Sequence, residues 1–207
     1  MALNANALTS LAVVKRRIDV EGSYSTTYDA LLEDLINEVS TYLEDKCNRI
    51  FRSQTYTEYF SGNGTPFLGL RQGPLTSITS VNFVEYSDAG DGSRDETLTE
   101  IEEYQRLEGG LIGEGHLGLG WIERRDGCVW TEGYRNYKVV YIAGFTTIPP
   151  SLERWATYRV ASEFVARESP GLLTKTVADG QLAFLAPDRM AEAEMRAIGP
   201  YIVRSVY

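Results

Sequence analysis

The spacing of the apolar residues changes twice along this chain, and these changes limit the folds it can adopt. Residues 28–47 carry apolar side chains at four-residue spacing with charged residues on the other side, which predicts an amphipathic helix. Residues 53–142 contain short alternating segments between glycine-rich turns, which predict β-strands. Helical spacing returns in residues 149–165, where Pro149 and Pro150 can start a helix. The order predicts an α+β protein.

The helix over residues 28–47 has the clearest pattern. Its predicted apolar side consists of Leu31, Leu32, Leu35, Ile36, Val39, Leu43 and Cys47. Thr27 or Asp29 can cap its start. A shorter helix is predicted before it, capped by Thr9 or Ser10. A final helix is predicted over residues 186–197, followed by a terminal strand or arm over residues 201–207.

The middle of the chain is predicted to form several short strands. Turn residues at 61–64 separate the segments 53–60 and 67–70, which predicts a β-hairpin. Further strands are predicted at residues 77–86, 104–107, 117–124, 127–131 and 137–142. Residues 85–103 contain eight carboxylates against one arginine and are predicted to form a loop or a short ordered excursion. Residues 174–181 are predicted to form a polar loop.

These elements predict a division of the chain into three stretches. Residues 1–52 form an N-terminal helical part, residues 53–148 a β-rich middle domain, and residues 149–207 the C-terminal helices and terminal arm. Helices from the two ends are expected to pack together as a bundle, with the β-rich domain inserted between them.

Composition and charge exclude several classes of protein. At 207 residues and 43% hydrophobic content, the chain can bury a sizeable core. A net charge of −9 argues against wrapping nucleic acid through phosphate contacts. The apolar runs are far shorter than the roughly 20 residues of a membrane span. The N-terminus lacks the pattern of a signal peptide, so we expect synthesis in a cytoplasm and no membrane partner.

No residue pattern points to catalysis. The two cysteines, Cys47 and Cys128, and the single histidine, His116, cannot build a zinc site. Residues 113–118 match the letters of a dinucleotide-binding loop, but further glycines after them disfavour the required helix. Cys47 lies at an apolar helix position and is predicted to be a buried thiol. We predict no enzyme activity, no metal and no cofactor.

Five short segments are informative because of the order in which they occur. They are Tyr42–Phe51 at the end of a helix, the turn Gly62–Gly64, the step Gly73–Pro74, the strand start Ser80–Val81, and Val139–Gly144 before the helix from Pro149 to Val165. This ordered set resembles the head-tail connector (adaptor) proteins of long-tailed double-stranded DNA bacteriophages. The resemblance covers roughly residues 8–168 and is weakest in the middle and after Glu168, where the chain is longer than compact members of that family.

The resemblance implies a structural protein of the virion neck, made in the host cytoplasm. Such connectors form a ring, commonly of twelve copies, beneath the portal, and join the DNA-filled head to the tail. The implied partners are further copies of this chain, the portal protein, and a head-closure or tail-side neck protein. DNA would pass through the ring without sequence-specific binding, and carboxylates facing the channel would repel its phosphates. Whether residues 85–103 face the channel stays open.

The resemblance also implies which residues make the contacts. In related connectors the C-terminal segment reaches into the portal, so the portal-binding candidates are Tyr201, Ile202, Val203, Arg204 and Tyr207. The ring-packing candidates lie on the two long predicted helices and are Leu35, Val39, Trp155, Val160 and Phe164.

Two alternatives stay open at this point. One is another neck component, such as a head-closure protein. The other, from a different class, is a small cytoplasmic enzyme or ligand-binding domain. Ring formation discriminates between these classes, while the copy number, the host and the face that meets the portal also stay open.

Overall fold

The fold divides into two compact units. A computed structural model of the chain describes residues 2–18, 26–84, 96–107, 120–125, 127–167, 174–177, 180–183 and 187–203. One unit comprises Met1–Phe51 with Thr147–Tyr207, and the other comprises Arg52–Thr146. We call them the helical unit and the β unit. Helices and antiparallel sheets both occur, which confirms the predicted α+β class.

Four helices form most of the helical unit. They are α1 (Leu11–Ile18), α2 (Asp29–Cys47), α3 (Pro150–Ala166) and α4 (Pro187–Ile198), with 3₁₀ turns at Thr26–Tyr28 and Gly199–Tyr201. Helix α3 contacts α1, α2 and α4. It begins at Pro150, as predicted, because proline is suited to the first turn of a helix. Ser10 caps α1, also as predicted, since its side-chain oxygen accepts a 3.4 Å hydrogen bond from the Val13 N–H.

Helix α2 differs from its prediction at two places. The predicted cap at Thr27 or Asp29 is wrong, because the 3₁₀ turn runs directly into the helix and Tyr28 occupies the N-cap position. Leu31 is wrong as a member of the apolar side, since it is 36% exposed. The buried stripe follows alternating three- and four-residue spacing and consists of Leu32, Ile36, Val39, Ser40, Leu43 and Cys47.

Hydroxyl groups fix the chain before α1 to the two long helices. The Leu8 N–H donates to Ser40 Oγ on α2 at 3.0 Å. The hydroxyls of Thr9 and Thr157, the latter on α3, are 2.7 Å apart and hydrogen-bonded. All four residues are buried, so each polar group has the partner that burial requires.

The described residues of the β unit form seven strands in two antiparallel sheets. The strands are β1 (Gln54–Gly62), β2 (Phe67–Gly69), β3 (Leu75–Phe83), β4 (Glu96–Leu98), β5 (Tyr104–Leu107), β6 (Trp121–Arg124) and β7 (Gly133–Ala143). One sheet has the order β1-β7-β3-β4 and the other the order β2-β6-β5. The largest side chains without exposed surface in this core are Trp130 and Tyr141.

The predicted hairpin between residues 53–60 and 67–70 is wrong. Strand β1 pairs with β7, and β2 pairs with β6, so the two segments belong to different sheets. The connection is held by Trp130: its C=O accepts from the Gly64 N–H at 2.8 Å, and its N–H donates to the Thr65 C=O at 2.9 Å. Residues 127–131 were predicted to form a strand, but they form the loop that contains Trp130.

The acidic stretch was predicted to be a loop or a short ordered excursion, and part of it is ordered; the polar loop predicted at residues 174–181 is wrong. Part of the acidic stretch is a strand, since β4 pairs with β3. The predicted polar loop at residues 174–181 contains a hairpin of β8 (Thr174–Val177) and β9 (Gly180–Ala183). Residues 85–95, 117–119 and 204–207 lie outside the described residues, so the predictions that fall on them are not addressed by the structure.

Candidate functional surfaces

The described residues include charge clusters, exposed aromatic residues and two surface depressions. Across the ranges given above, no cluster of three or more histidine, cysteine, aspartate or glutamate side chains is placed to hold a metal ion. None of the helices in that part of the chain combines the length and the apolar character that a membrane span needs. His116 and residues 113–118 lie outside the described ranges. The candidate functional groups are therefore the charge clusters and the exposed aromatic residues.

A buried carboxylate on α4 joins three helices. Glu194 is 2% exposed, and its Oε1 accepts hydrogen bonds from the Tyr42 hydroxyl at 2.9 Å and from Lys46 Nζ, both on α2. Its Oε2 lies 3.6 Å from Nη1 of Arg159 on α3. The hydrogen bond to Glu194 raises the pKa of Lys46 above its ordinary value. We call these four residues the Glu194 cluster; it attaches α4 to the rest of the helical unit.

Replacing Glu194 with alanine is expected to destabilise the helical unit by about 2 kcal/mol. Removing one partner of a fully buried ion pair costs about 3–5 kcal/mol, but Lys46 and Arg159 are 33% and 28% exposed, and water screens their charge. Urea unfolding followed by circular dichroism measures the loss.

Glu192→Ala on the same helix is the matched control. Its ion pair with Arg196 is exposed, so we expect a change within about 0.5 kcal/mol. Equal losses for the two variants would contradict the role of the Glu194 cluster.

The C-terminal segment is fastened to the helical unit at Tyr201. This side chain is 6% exposed, and its hydroxyl is hydrogen-bonded to Ser151 Oγ at 2.9 Å. Its ring meets the Phe51 ring edge-on, with centroids 5.9 Å apart. Two residues later, the Val203 N–H donates to the C=O of Cys47 at 3.0 Å. Tyr201 and Val203 are thus held against the end of α2.

The structure describes three of the five portal-binding candidates. Tyr201 is buried, while Ile202 and Val203 are half-buried. Arg204 and Tyr207 lie outside the described residues. The portal-binding role of all five stays a prediction.

The ring-packing candidates lie mostly inside the helical unit. Leu35 is half-buried, whereas the buried members are Val39, Trp155, Val160 and Phe164. Their apolar surface is largely covered within one subunit, and their ring-packing role stays a prediction. The large apolar side chains that this unit exposes among the described residues are Leu31, Tyr42 and Met195.

The predicted buried thiol is confirmed at Cys47, which has no exposed surface. Burial raises the pKa of this thiol from 9.0 to about 11. Between about pH 9 and pH 11 the Cys47 thiol is deprotonated in the unfolded chain but stays protonated in the folded chain. The contribution of this thiol to the free energy of unfolding is therefore fully present below about pH 9. Above that pH it falls by about 1.4 kcal/mol per pH unit.

Cys47→Ala is expected to remove this pH dependence. Unfolding free energies of both proteins, measured by urea titration from pH 8 to 10.5, should converge with rising pH. Lys46 titrates in both proteins, so its contribution largely cancels in the comparison. Parallel curves would show that the thiol does not titrate differently in the folded state.

A depression of about 710 Å³ lies on the β unit and is lined by residues of the paired strands β1 and β7 and by Arg71. Its charged and aromatic lining is Glu58, Tyr59, Phe60, Arg71, Tyr134 and Arg135. The Arg135 guanidinium lies 5.1 Å from the Tyr59 ring centroid, and that of Arg71 lies 5.6 Å from the Phe60 centroid. Tyr134 is 81% exposed. We call this surface the arginine–tyrosine pocket.

The turn between β4 and β5 exposes an isoleucine among carboxylates. Ile101 is 72% exposed and has a φ of 79°, a left-handed conformation that β-branched residues rarely adopt. The Ile101 N–H donates to the Tyr104 C=O at 2.7 Å, and the Glu103 N–H donates to the Thr99 C=O at 3.0 Å. We call residues 99–103 the Ile101 turn. In the sequence this turn was predicted only as part of the acidic stretch, although a lone isoleucine between glutamates was visible.

The full length of the chain is similar in structure to chains of gene transfer agent (GTA) particles. A chain from the neck of an empty GTA particle, computed with C6 symmetry, matches with a TM-score of 0.62 and 12% identity, over 100% of this chain and 98% of that chain. A chain from the virion of a native GTA particle matches with a TM-score of 0.62 and 13% identity, over 100% and 95%. A chain from the neck of a native GTA particle, computed with C12 symmetry, matches with a TM-score of 0.58 and 13% identity, over 100% and 98%.

At this level of identity the likeness shows the fold. This protein has the fold of chains found in the necks of GTA particles, and the match covers both the helical unit and the β unit. No family model and no curated protein sequence matches the chain.

Proposed function

We propose that this protein is a structural component of the neck of a phage-like particle, and specifically a head-tail connector (adaptor). The observation that carries the proposal is the end-to-end fold similarity to GTA neck chains. The ordered segments of the sequence, which resemble phage connectors, point to the same class by a separate route. The protein acts by assembly, without catalysis or a cofactor.

The proposed connector forms a closed ring beneath the portal. The matched necks were computed with C6 and C12 symmetry, which supports a ring of twelve copies. In such a ring each copy uses two different surfaces, one toward each neighbour. The remaining partners are the portal protein on one side and a head-closure or tail-side neck protein on the other. The protein is made in the host cytoplasm and is located in the virion neck.

The proposed domain arrangement is a helical bundle with an inserted β-rich domain. Residues 1–52 and 149–207 form the bundle, and residues 53–148 form the insertion. The division into two compact units at residues 51/52 and 146/147 supports this arrangement. Contacts of α3 with α1, α2 and α4 support a bundle built from both ends of the chain.

The proposed portal contact is made by the residues that follow Tyr201. The buried Tyr201 ring fastens the segment, and the sequence of residues 202–207 includes apolar, aromatic and arginine residues, which suit a protein interface. DNA passes through the ring without sequence-specific binding. The net charge of −9 supports this, because an acidic ring repels phosphates.

Electron microscopy of portal-bearing, DNA-filled heads tests the proposal. The heads are mixed with the wild-type chain or with a variant in which residues 204–207 are replaced by glycine and serine at equal length. This variant keeps Tyr201, Val203 and their contacts. We expect the wild type to add a ring at the portal vertex and the variant to lose it.

The remaining outcomes test the connector role separately from the role of residues 204–207 as the portal anchor. A ring that persists in the variant would keep the connector role and reject residues 204–207 as the anchor. Absence of wild-type binding to the heads would overturn the proposed function.

A further inference from the structure

We propose that the Ile101 turn of one copy inserts into the arginine–tyrosine pocket of the next copy, and that this contact closes the ring. The inference rests on the proposed function for the existence of a ring. It adds the pair of surfaces that meet within that ring, and both surfaces belong to the β unit.

The two surfaces lie at opposite edges of one sheet. The sheet has the order β1-β7-β3-β4. Tyr59 and Phe60 of the pocket are on the edge strand β1, and Tyr134 and Arg135 are on its neighbour β7. Ile101 follows β4, the edge strand on the other side. A contact between opposite edges joins unlike surfaces, which is the arrangement that generates a ring when the rotation closes.

The charges of the two surfaces are complementary. Glu100 and Glu102 flank Ile101; Glu100 pairs with Arg106 of its own chain, whereas Glu102 is exposed and makes no ion pair among the described residues. Neither Arg71 nor Arg135 forms an ion pair with a carboxylate among the described residues. Complementary charges of this kind set the orientation and the rate of association.

Glu58 also lines the pocket and is the one acidic residue in its described lining. Its carboxylate accepts a 2.7 Å hydrogen bond from the Tyr141 hydroxyl. Two arginines against this one carboxylate leave the pocket with a net positive charge. An acidic turn is therefore attracted to it.

A residue with positive φ occurs in both surfaces. Among the described non-glycine residues, only Asn48, Ile101 and Arg135 have positive φ. Asn48 ends helix α2, a common place for this conformation. Arg135, at φ of 50°, lies at the register shift between β1 and β7, and a β-bulge of this kind accounts for its conformation. Ile101, at φ of 79°, lies at neither a helix end nor a strand register shift; strain of this kind is concentrated at functional sites, and here it exposes an isoleucine.

Ile101 and two tyrosine rings supply the apolar part of the contact. Ile101 exposes most of its surface, and the aromatic rings of Tyr59 and Tyr134 border the opposing pocket. Exposed tyrosine and arginine side chains around an apolar centre are typical of the residues that dominate interface energies. Covering Ile101 would remove apolar surface that a lone subunit leaves in water.

The first test is Ile101→Asn. Asparagine adopts the left-handed conformation readily, so the subunit should keep or gain thermal stability while the apolar contact is lost. We expect a roughly tenfold or greater rise in the protein concentration needed for rings on portal-bearing heads, the effect of losing one interface hot spot. Electron microscopy across a concentration series gives this value, and thermal unfolding checks the subunit.

The second test is a charge exchange. Arg135→Glu and Glu102→Arg should each weaken ring formation, and the double variant should restore it, because each contact then again joins opposite charges. Loss of rings in the single variants with recovery in the double variant supports the contact. If the wild type, Ile101→Asn and Arg135→Glu all form rings equally well, the proposed contact is overturned, while the connector role is still supported.

Two outcomes separate the contact from the connector role. In one, the wild type forms oligomers in solution that are lost when Ile101, Glu102 or Arg135 is changed, and it does not bind to heads. That result would support the contact and overturn the proposed function. Absence of any self-association by the wild type, on heads or in solution, overturns the contact.

Discussion

Replacing Trp130 with alanine is expected to lower the free energy of unfolding of the β unit by about 4 kcal/mol. Trp130 has no exposed surface, and its ring meets that of Tyr137 edge-on at 5.0 Å. Its indole N–H donates to the Pro66 C=O at 2.8 Å. The substitution removes the largest fully buried side chain among the described residues, and it leaves the Pro66 carbonyl with only the 2.7 Å hydrogen bond from the Arg124 N–H. Urea unfolding followed by far-ultraviolet circular dichroism measures the effect.

Trp130→Phe separates the two contributions. It keeps an aromatic ring in the core but removes the indole N–H, so we expect a smaller loss of about 2 kcal/mol. A loss below about 1 kcal/mol for the alanine variant would mean that Trp130 does not hold the connection between the two sheets.

Replacing Phe164 with alanine is expected to lower the free energy of unfolding of the helical unit by about 4 kcal/mol. Phe164 is 2% exposed, its ring meets that of Tyr28 edge-on at 5.5 Å, and the Arg167 guanidinium lies 4.4 Å from its centroid. The cavity left on α3 would remove contacts within a single subunit. Urea unfolding of the isolated protein measures the loss, and electron microscopy of rings on heads gives the assembly readout.

Phe164→Leu serves as the control, with an expected loss of about 1 kcal/mol. We expect rings from the leucine variant as from the wild type, because the helical unit stays folded. If Phe164→Ala left stability unchanged but abolished rings, the side chain would act between subunits, as the sequence-based ring-packing prediction has it.

Local patterns predicted elements well where the pattern itself stabilises the element. Helix α3 begins at the predicted proline, and β5 coincides with the predicted segment 104–107. The hairpin β8–β9 was missed because the polar residues of this segment were interpreted as a loop. The failed hairpin between residues 53–60 and 67–70 had good turn residues. Its strands pair instead with partners more than 50 residues away, and no local pattern reports such pairings.

The candidate surfaces were harder to predict than the elements. The resemblance implied Val39, Val160 and Phe164 as ring-packing residues; the structure buries them within one subunit, and their role in a ring stays a prediction. The arginine–tyrosine pocket brings Arg71 and Arg135 together from positions 64 residues apart. The backbone strain at Ile101 also has no sequence signature.

The discontinuity of the helical unit determines the order in which the chain can fold as it leaves the ribosome. Its first part ends at Phe51 and its second begins at Thr147, with the whole β unit between them. At ordinary rates of synthesis, the intervening residues take on the order of ten seconds to appear. During that time the apolar stripe of α2 has no α3 to cover it. The β unit can therefore complete its fold first, while the N-terminal helices wait with exposed apolar surface, a period in which chaperone binding would compete with aggregation.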